Sequence, residues 1–150
     1  MPWELTAVIV VMACAVLPLV LLYARRRWLT GKGGLFDCAC LLREDLPGGG
    51  WALGMARYVG EELEWYRSFS LSMRPKRRFR RGVVMYERRR PPEGLEQFTL
   101  YEDSSVVLVR DSATGAISAL AMPTDSALGL MSWLESAPPG SRYPSTPSER

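Results

Sequence analysis

The sequence predicts a mainly β protein, in which an N-terminal membrane-spanning helix precedes a small antiparallel β domain that ends in a single helix. Three observations predict this fold. Residues 5–24 carry no charge. Short segments that alternate apolar and polar side chains, separated by turn sequences, follow residue 34, which is typical of antiparallel strands. The last of these segments is followed by an apolar stripe with helical spacing.

The segment 5–24 has the length of a membrane-spanning helix, since twenty residues that rise about 1.5 Å each cover a hydrocarbon core of about 30 Å. Arg25, Arg26 and Arg27 follow it, and positive residues mark the cytoplasmic side. We therefore expect a single-pass protein of the cell membrane, with residues 1–4 outside and the remaining domain in the cytoplasm. A cleaved signal peptide is the alternative, but its positive residues would precede the apolar run.

Seven short strands are predicted after a basic stop and glycine-rich joint at residues 25–34. The β domain is expected to cover residues 35–137, and turn sequences such as Pro91-Pro92-Glu93-Gly94 separate its strands. In chain order, the predicted strands are 36–42, 51–58, 63–69, 82–88, 97–101, 106–110 and 116–122. Trp65, Cys38 and Cys40 lie on their apolar faces and are expected in the core.

The predicted C-terminal helix covers about residues 124–136. Thr124 or Asp125 can cap its first turn after Pro123. Its apolar stripe consists of Ala127, Leu130, Met131 and Leu134. The sequence Pro138-Pro139-Gly140 ends the helix, and residues 138–150 are rich in Pro, Ser, Thr and charge, so we expect a disordered tail.

The order of these elements resembles the pleckstrin-homology-like superfold. Seven antiparallel strands folded on themselves leave one end of the core open, and a single helix with an apolar stripe can close it. We therefore expect a pleckstrin-homology-like seven-stranded antiparallel barrel or sandwich with a C-terminal helix. A small sandwich of another kind, or an open sheet with one packed helix, is the alternative.

Four motifs carry a resemblance to a known family. They are GGLFDC at residues 33–38, GWALG at 50–54, LEWYRSFSLS at 63–72 and WLESAPPG at 133–140. With these motifs the chain resembles an actinobacterial family of single-pass membrane proteins known as domain of unknown function 2550. The resemblance covers nearly the whole chain, and it implies an uncharacterised membrane protein without assigned catalytic residues.

Basic residues are the candidate binding residues. Residues 74–90 hold nine of the 19 Lys and Arg of the chain and one acidic residue, Glu87. Near a cytoplasmic membrane face, each such cation gains about 1 kcal/mol from anionic lipid. We therefore predict a contact with the anionic headgroups of the membrane or with an acidic membrane protein partner. The predicted contact residues are Arg25, Arg26, Arg27, Arg74, Lys76, Arg77, Arg78, Arg80, Arg81, Arg88, Arg89 and Arg90.

A solvated loop, with a few of these cations paired to Glu61, Glu62 and Glu64, is the alternative interpretation of the basic stretch. A headgroup pocket in the first hairpin is not expected, because residues 44–50 are acidic and glycine-rich, whereas phosphoinositide-binding relatives of the superfold carry basic residues there. Nucleic-acid binding is not expected either, since the sequence contains no recognition motif.

No catalytic, metal or cofactor site is predicted. The chain lacks histidine, the commonest acid–base residue and metal ligand. Cys38 and Cys40 fall short of the four ligands that a zinc site needs. We therefore expect a non-catalytic, membrane-anchored binding or scaffold module rather than an enzyme. The alternative function is an accessory structural subunit of a larger membrane protein complex.

Overall fold

The computed structural model describes residues 2–31, 33–46 and 49–136. This part of the chain contains three helices, α1 (Pro2–Thr30), α2 (Glu96–Thr99) and α3 (Thr124–Glu135). It also contains nine strands: β1 (Leu35–Asp37), β2 (Ala39–Leu41), β3 (Trp51–Ala52), β4 (Gly54–Val59), β5 (Glu62–Arg67), β6 (Arg77–Arg80), β7 (Val84–Arg90), β8 (Ser104–Asp111) and β9 (Ile117–Pro123). The predicted tail at 138–150 lies outside the described residues.

The strands form two antiparallel sheets, as the alternation of apolar residues predicts. The first has the order β1-β4-β5-β6 and the second the order β3-β2-β9-β8-β7. The predicted first strand is interrupted at Cys38 and the predicted second strand at Leu53, so that each contributes one half to each sheet. The expectation of a mainly β domain between a long apolar helix and a C-terminal helix is confirmed.

Where these two strands change sheets, Cys38, Gly54 and Trp65 form the centre of the core. The amide of Cys38 donates a hydrogen bond to the carbonyl of Gly54 at 3.0 Å, and the indole Nε1 of Trp65 donates one to the carbonyl of Cys38 at 2.7 Å. Trp65 and Cys38 are fully buried, as predicted, and so is Cys40. A Cβ atom on Gly54 would lie 2.6 Å from the Trp65 ring, so only glycine fits at this crossing.

Helix α3 packs against the β domain with three residues of the predicted stripe. Ala127, Leu130 and Leu134 are buried, and the helix packs on β7, β8 and β9 of the second sheet. The ring of Trp133 lies 5.1 Å from the ring of Tyr58, which belongs to β4 of the first sheet. The helix therefore contacts both sheets.

The predicted strand at 97–101 is wrong, because residues 96–99 form helix α2. The two prolines at 91–92 end β7, and the carboxylate of Glu96 then accepts a hydrogen bond from the amide of Glu93 at 3.0 Å. The side chain of Arg90 also binds this carboxylate, at 2.6 Å. These local hydrogen bonds favour a helical turn over the extended backbone that the alternation of apolar residues had suggested.

Strand β6 was not predicted, and it occupies part of the basic stretch. Only Phe79 of its four residues is buried; Arg77, Arg78 and Arg80 are exposed. The strand forms the outer edge of the first sheet and pairs with β5 from Glu62↔Arg80 to Trp65↔Arg77. Charged side chains are a common feature of edge strands, but they leave no alternation in the sequence from which the strand could be inferred.

Candidate functional site

Arg25 joins helix α1 to the β domain. Its side chain is buried, and its Nε donates a hydrogen bond to the carbonyl oxygen of Ser72 at 2.9 Å. The two terminal nitrogens donate to the carbonyl oxygens of Arg67 at 3.2 Å and Ser68 at 3.4 Å. The planar, five-donor guanidinium suits such a convergent set of acceptors. Arg25 is therefore committed to protein contacts, whereas Arg26 and Arg27 are exposed.

A cleft of about 480 Å³ lies between α1 and the β domain beside Arg25. Leu22 and Tyr23 line it from the helix, Met55 from β4, Phe69 from the segment after β5, and Tyr101 from the segment before β8. The cleft is therefore located where the uncharged part of α1 meets the arginines. Two connections of the β domain reach this position, the one between β5 and β6 and the one between β7 and β8.

We call this side of the β domain the anchor end and define it by residues 68–76 and 91–103. The strand register then fixes which residues are distant from it. Strand β6 begins near the anchor end, where Arg77 pairs with Trp65, and ends at Arg80, which pairs with Glu62. Since strand residues rise about 3.3 Å each, Arg80 lies about 10 Å farther from the anchor end than Arg77. Strand β7 runs in the opposite direction and ends at Arg90, next to the anchor end.

Three of the predicted binding residues are ion-paired within the domain. Arg78 lies 3.6 Å from a carboxylate oxygen of Glu64 and 3.9 Å from one of Glu62. Arg81 pairs with Glu61, and its guanidinium also lies over the ring of Trp133. Arg90 pairs with Glu96 at 2.6 Å. The alternative interpretation, in which a few cations pair with Glu61, Glu62 and Glu64, therefore applies to Arg78 and Arg81. The pair of Arg90 with Glu96 was not predicted.

Six other predicted residues are exposed, and their side chains have no ion pair or hydrogen bond within the described part of the chain. We call them the basic edge: Arg74, Lys76, Arg77, Arg80, Arg88 and Arg89. They lie on or beside β6 and on β7, which are the outer strands of the two sheets. Arg74 and Lys76 belong to the anchor end, and Arg88 and Arg89 lie in the half of β7 nearer to it.

Glu64 forms a hydrogen-bonded group that the sequence reasoning did not identify. Its Oε2 accepts hydrogen bonds from Tyr66 at 2.6 Å and from Arg57 at 3.0 Å. Burial alone would raise the pKa of Glu64, but the hydrogen bonds from Tyr66 and Arg57 outweigh it and hold that pKa below its usual value. The carboxylate is therefore ionised and paired at neutral pH. Arg57 lies directly opposite Glu64 in the register of β4 and β5, so their pairing could be inferred once that register was known.

The two cysteines of the β domain do not form a reactive site. Burial raises the pKa of Cys38 well above its usual value and that of Cys40 to about 11. Both therefore remain neutral thiols near pH 7, and the thiolate is the nucleophilic and metal-binding form. Across residues 2–31, 33–46 and 49–136, no three His, Cys, Asp or Glu side chains come together as a metal site.

Helix α1 contains a stretch, Trp3–Trp28, that is long and apolar enough to cross a membrane. The most apolar part of this stretch is not covered by any other described part of the chain. Proline 18 lies inside the helix, which continues through it to Thr30. By length and composition, α1 is compatible with a membrane anchor or with a signal sequence.

Comparison with known proteins assigns the chain to a family. The model of the family described as "Protein of unknown function (DUF2550)" matches residues 10–140. An uncharacterized protein of Mycobacterium leprae is 37% identical over 125 residues, which cover 79% of this chain and 82% of the relative. An uncharacterized protein of Mycobacterium tuberculosis is 34% identical over 142 residues, which cover 89% of each chain. No solved structure matches. The resemblance inferred from the sequence motifs is thus confirmed, and the chain belongs to the DUF2550 family of proteins of unknown function.

Proposed function

We propose that this protein is a non-catalytic, membrane-anchored module whose basic edge contacts anionic lipid. In this proposal α1 spans the cell membrane with its N-terminus outside, and the β domain lies against the cytoplasmic face. The observation that carries the proposal is the contact of Arg25 with the carbonyl oxygens of Arg67, Ser68 and Ser72. It fixes the orientation of the β domain relative to the helix.

The Arg25 contact also favours a retained anchor over a cleaved signal sequence. The guanidinium is buried in the β domain, while its backbone belongs to α1. Cleavage near the end of the apolar run would remove the helix that positions this side chain. Each of these hydrogen bonds contributes about 0.5–1.5 kcal/mol, so the folded domain is more stable with the helix attached.

Charge supports a lipid surface as the partner of the basic edge. A cation near an anionic bilayer gains about 1 kcal/mol, and this gain falls off within a Debye length of about 8 Å at physiological ionic strength. Arg74, Lys76, Arg88 and Arg89 are nearest to the anchor end and therefore contribute most. Arg80 is farther away and contributes less.

We also propose that the domain has the pleckstrin-homology-like superfold. Two features support this: the first two predicted strands are each shared between the sheets, and the C-terminal helix α3 packs on the second sheet and reaches Tyr58 of the first. The first hairpin loop lacks the basic residues of a phosphoinositide pocket. The proposed lipid contact is therefore made by surface charge along β6 and β7.

The two lysines of the chain, Lys32 and Lys76, make a residue-specific test possible. The protein is reconstituted in nanodiscs of phosphatidylcholine alone or of phosphatidylcholine with phosphatidylglycerol. Acylation of Lys76 by an amine-reactive reagent is then measured by mass spectrometry. We expect Lys76 to react several-fold more slowly in the anionic nanodiscs, and we expect high salt to abolish the difference.

Two double variants of equal charge serve as test and control. The Arg88→Gln/Arg89→Gln variant removes two cations of the basic edge and should lose most of the protection of Lys76. The Arg43→Gln/Arg110→Gln variant removes two cations that pair with Asp45 and Glu87, and it should retain that protection. Equal reactivity of Lys76 in both kinds of nanodisc would overturn the lipid contact and leave an acidic protein as the partner of the edge.

A further inference from the structure

The most exposed large apolar side chains of the β domain lie at the anchor end. Phe98 is 87% exposed and Phe69 is 81% exposed, followed by Leu95 and Leu71. Every other large apolar side chain of the described β domain is less exposed than these four. Phe69 and Leu71 follow β5, and Leu95 and Phe98 lie in and next to α2. A concentration of exposed apolar side chains at one end of a domain is typical of an interaction surface.

This apolar surface is continuous with helix α1. Phe69 lines the same cleft as Leu22 and Tyr23, which precede Arg25 in the helix. Tyr101, two residues after α2, lines that cleft as well. If α1 spans a bilayer whose hydrocarbon core ends near Arg25, the segment after β5 and the segment around α2 both lie at the depth where the hydrocarbon core meets the headgroups.

Hydrogen bonds satisfy several backbone polar groups of the segment 67–74, so this segment is suited to an environment with little water. Arg25 satisfies three of its carbonyl groups. The hydroxyl of Ser70 accepts a hydrogen bond from the amide of Ser72 at 3.2 Å, and the hydroxyl of Ser72 accepts one from the amide of Arg74 at 3.3 Å. Irregular backbone is otherwise costly near hydrocarbon, because its polar groups lose their water partners.

We propose that Phe69, Leu71, Leu95 and Phe98 insert into the interfacial region of the bilayer that α1 spans. Phe and Leu are typical of the apolar faces of segments that lie at a membrane surface, and such segments bury these faces about 5–10 Å into the headgroup boundary. Arg25 fixes the position of the inserted segment relative to the helix. The inference rests on α1 spanning the membrane but does not depend on the lipid contact of the basic edge.

Single fluorescent labels test the insertion in the full chain. The chain carries Cys14→Ala, and its other thiols, Cys38 and Cys40, are fully buried. An environment-sensitive dye is attached in turn to Phe69→Cys, Phe98→Cys and Val59→Cys. Val59 is the matched control, because it is an exposed apolar residue at the end of β4 that is distant from the anchor end. Each labelled protein is placed in nanodiscs that contain lipids with a nitroxide quencher.

We expect the labels at residues 69 and 98 to show blue-shifted emission and several-fold stronger quenching than the label at residue 59. This difference should occur in neutral as well as anionic lipid. A label on Leu71→Cys should lose its quenching when Phe69→Ser and Phe98→Ser are added. Labels at 69 and 98 that match the one at 59 would overturn the insertion and point to a protein that covers this surface. Insertion without protection of Lys76 would overturn the proposed lipid contact of the basic edge and leave the insertion intact.

Discussion

The Nε atom of Arg25 in helix α1 lies 2.9 Å from the carbonyl oxygen of Ser72, which follows it by 47 residues. This hydrogen bond and its two neighbours connect an apolar helix to the connection between β5 and β6. The helix is thereby attached to the domain by a buried side chain as well as by the chain itself.

Replacing Arg25 by Ala should release the segment 67–74 from the helix. The carbonyl groups of Arg67, Ser68 and Ser72 lose their donor, and each lost hydrogen bond costs about 0.5–1.5 kcal/mol. Hydrogen exchange of the amides in 67–74 should become faster, while that of β8 and β9 stays unchanged. The exposed neighbour Arg26→Ala is the control and should leave exchange as it is. Unaltered exchange in Arg25→Ala would show that the contact does not hold the segment.

Replacing Gly54 or Gly129 by alanine should change the stability of the domain in opposite directions. A Cβ on Gly54 would lie 2.4 Å from the carbonyl oxygen of Tyr66, so Gly54→Ala should destabilise the domain by about 1–3 kcal/mol through overpacking. A Cβ on Gly129 in α3 meets nothing within 4 Å, so Gly129→Ala should stabilise it by about 0.5–1 kcal/mol. Thermal unfolding in detergent, followed by circular dichroism, measures both changes. A neutral Gly54→Ala would contradict the tight crossing of the strands.

The carboxylate of Glu64 should make stability depend on acid pH. Because its pKa in the folded protein is lower than its usual value of 4.5, its contribution is fully present above about pH 4.5. That contribution is lost as the pH falls through the folded-state pKa. The Glu64→Gln variant should therefore be less stable than the native protein by about 1–3 kcal/mol at neutral pH, and the gap should narrow in acid.

A suitable control for Glu64 is Glu62→Gln, because Glu62 is more exposed and meets Arg78 only at 3.9 Å. Exposed pairs contribute about 0–1 kcal/mol. Denaturant titrations at a series of pH values separate the two variants. A Glu64→Gln gap that is constant from neutral pH to well below pH 4 would contradict the lowered pKa.

The thiols of Cys38 and Cys40 should be unreactive in the folded protein. Both side chains are fully buried, and the pKa of Cys40 is raised to about 11. Alkylation by iodoacetamide near neutral pH should therefore modify these two residues only after unfolding. Mass spectrometry of peptides from native and denatured protein provides the comparison. Rapid modification of Cys40 in the native protein would contradict its place in the core.

The sequence predicted those elements in which one face is buried and the other is exposed. Strands β8 and β9 and the stripe of α3 could be located because their buried residues alternate or recur at helical spacing. Strand β6 has only Phe79 inside, and α2 depends on hydrogen bonds between Arg90, Glu93 and Glu96. Strand β6 therefore leaves no periodic pattern and was missed, whereas the apolar residues at 97–101 alternate as in a strand and concealed the helical turn of α2.

Some features of the candidate site could likewise be predicted from the sequence, whereas others depend on the fold. The concentration of cations at 74–90 was visible in the sequence, but which of them are paired depends on the register between β5 and β6. The role of Arg25 could not be inferred, because its partners are backbone carbonyl groups, which are the same for every residue type. The exposure of Phe69 and Phe98 likewise follows from the fold, since exposed and buried phenylalanines are identical in sequence.

Protease accessibility of the membrane-bound protein tests most directly whether the β domain is anchored on the cytoplasmic side. Spheroplasts and inverted membrane vesicles from cells that produce the protein are treated with a protease that cannot cross the bilayer. We predict that the chain remains in the membrane fraction with α1 attached and that the β domain is cleaved only in inverted vesicles. A chain that has lost α1 and appears in the soluble fraction, or a β domain cleaved in intact spheroplasts, would contradict the account.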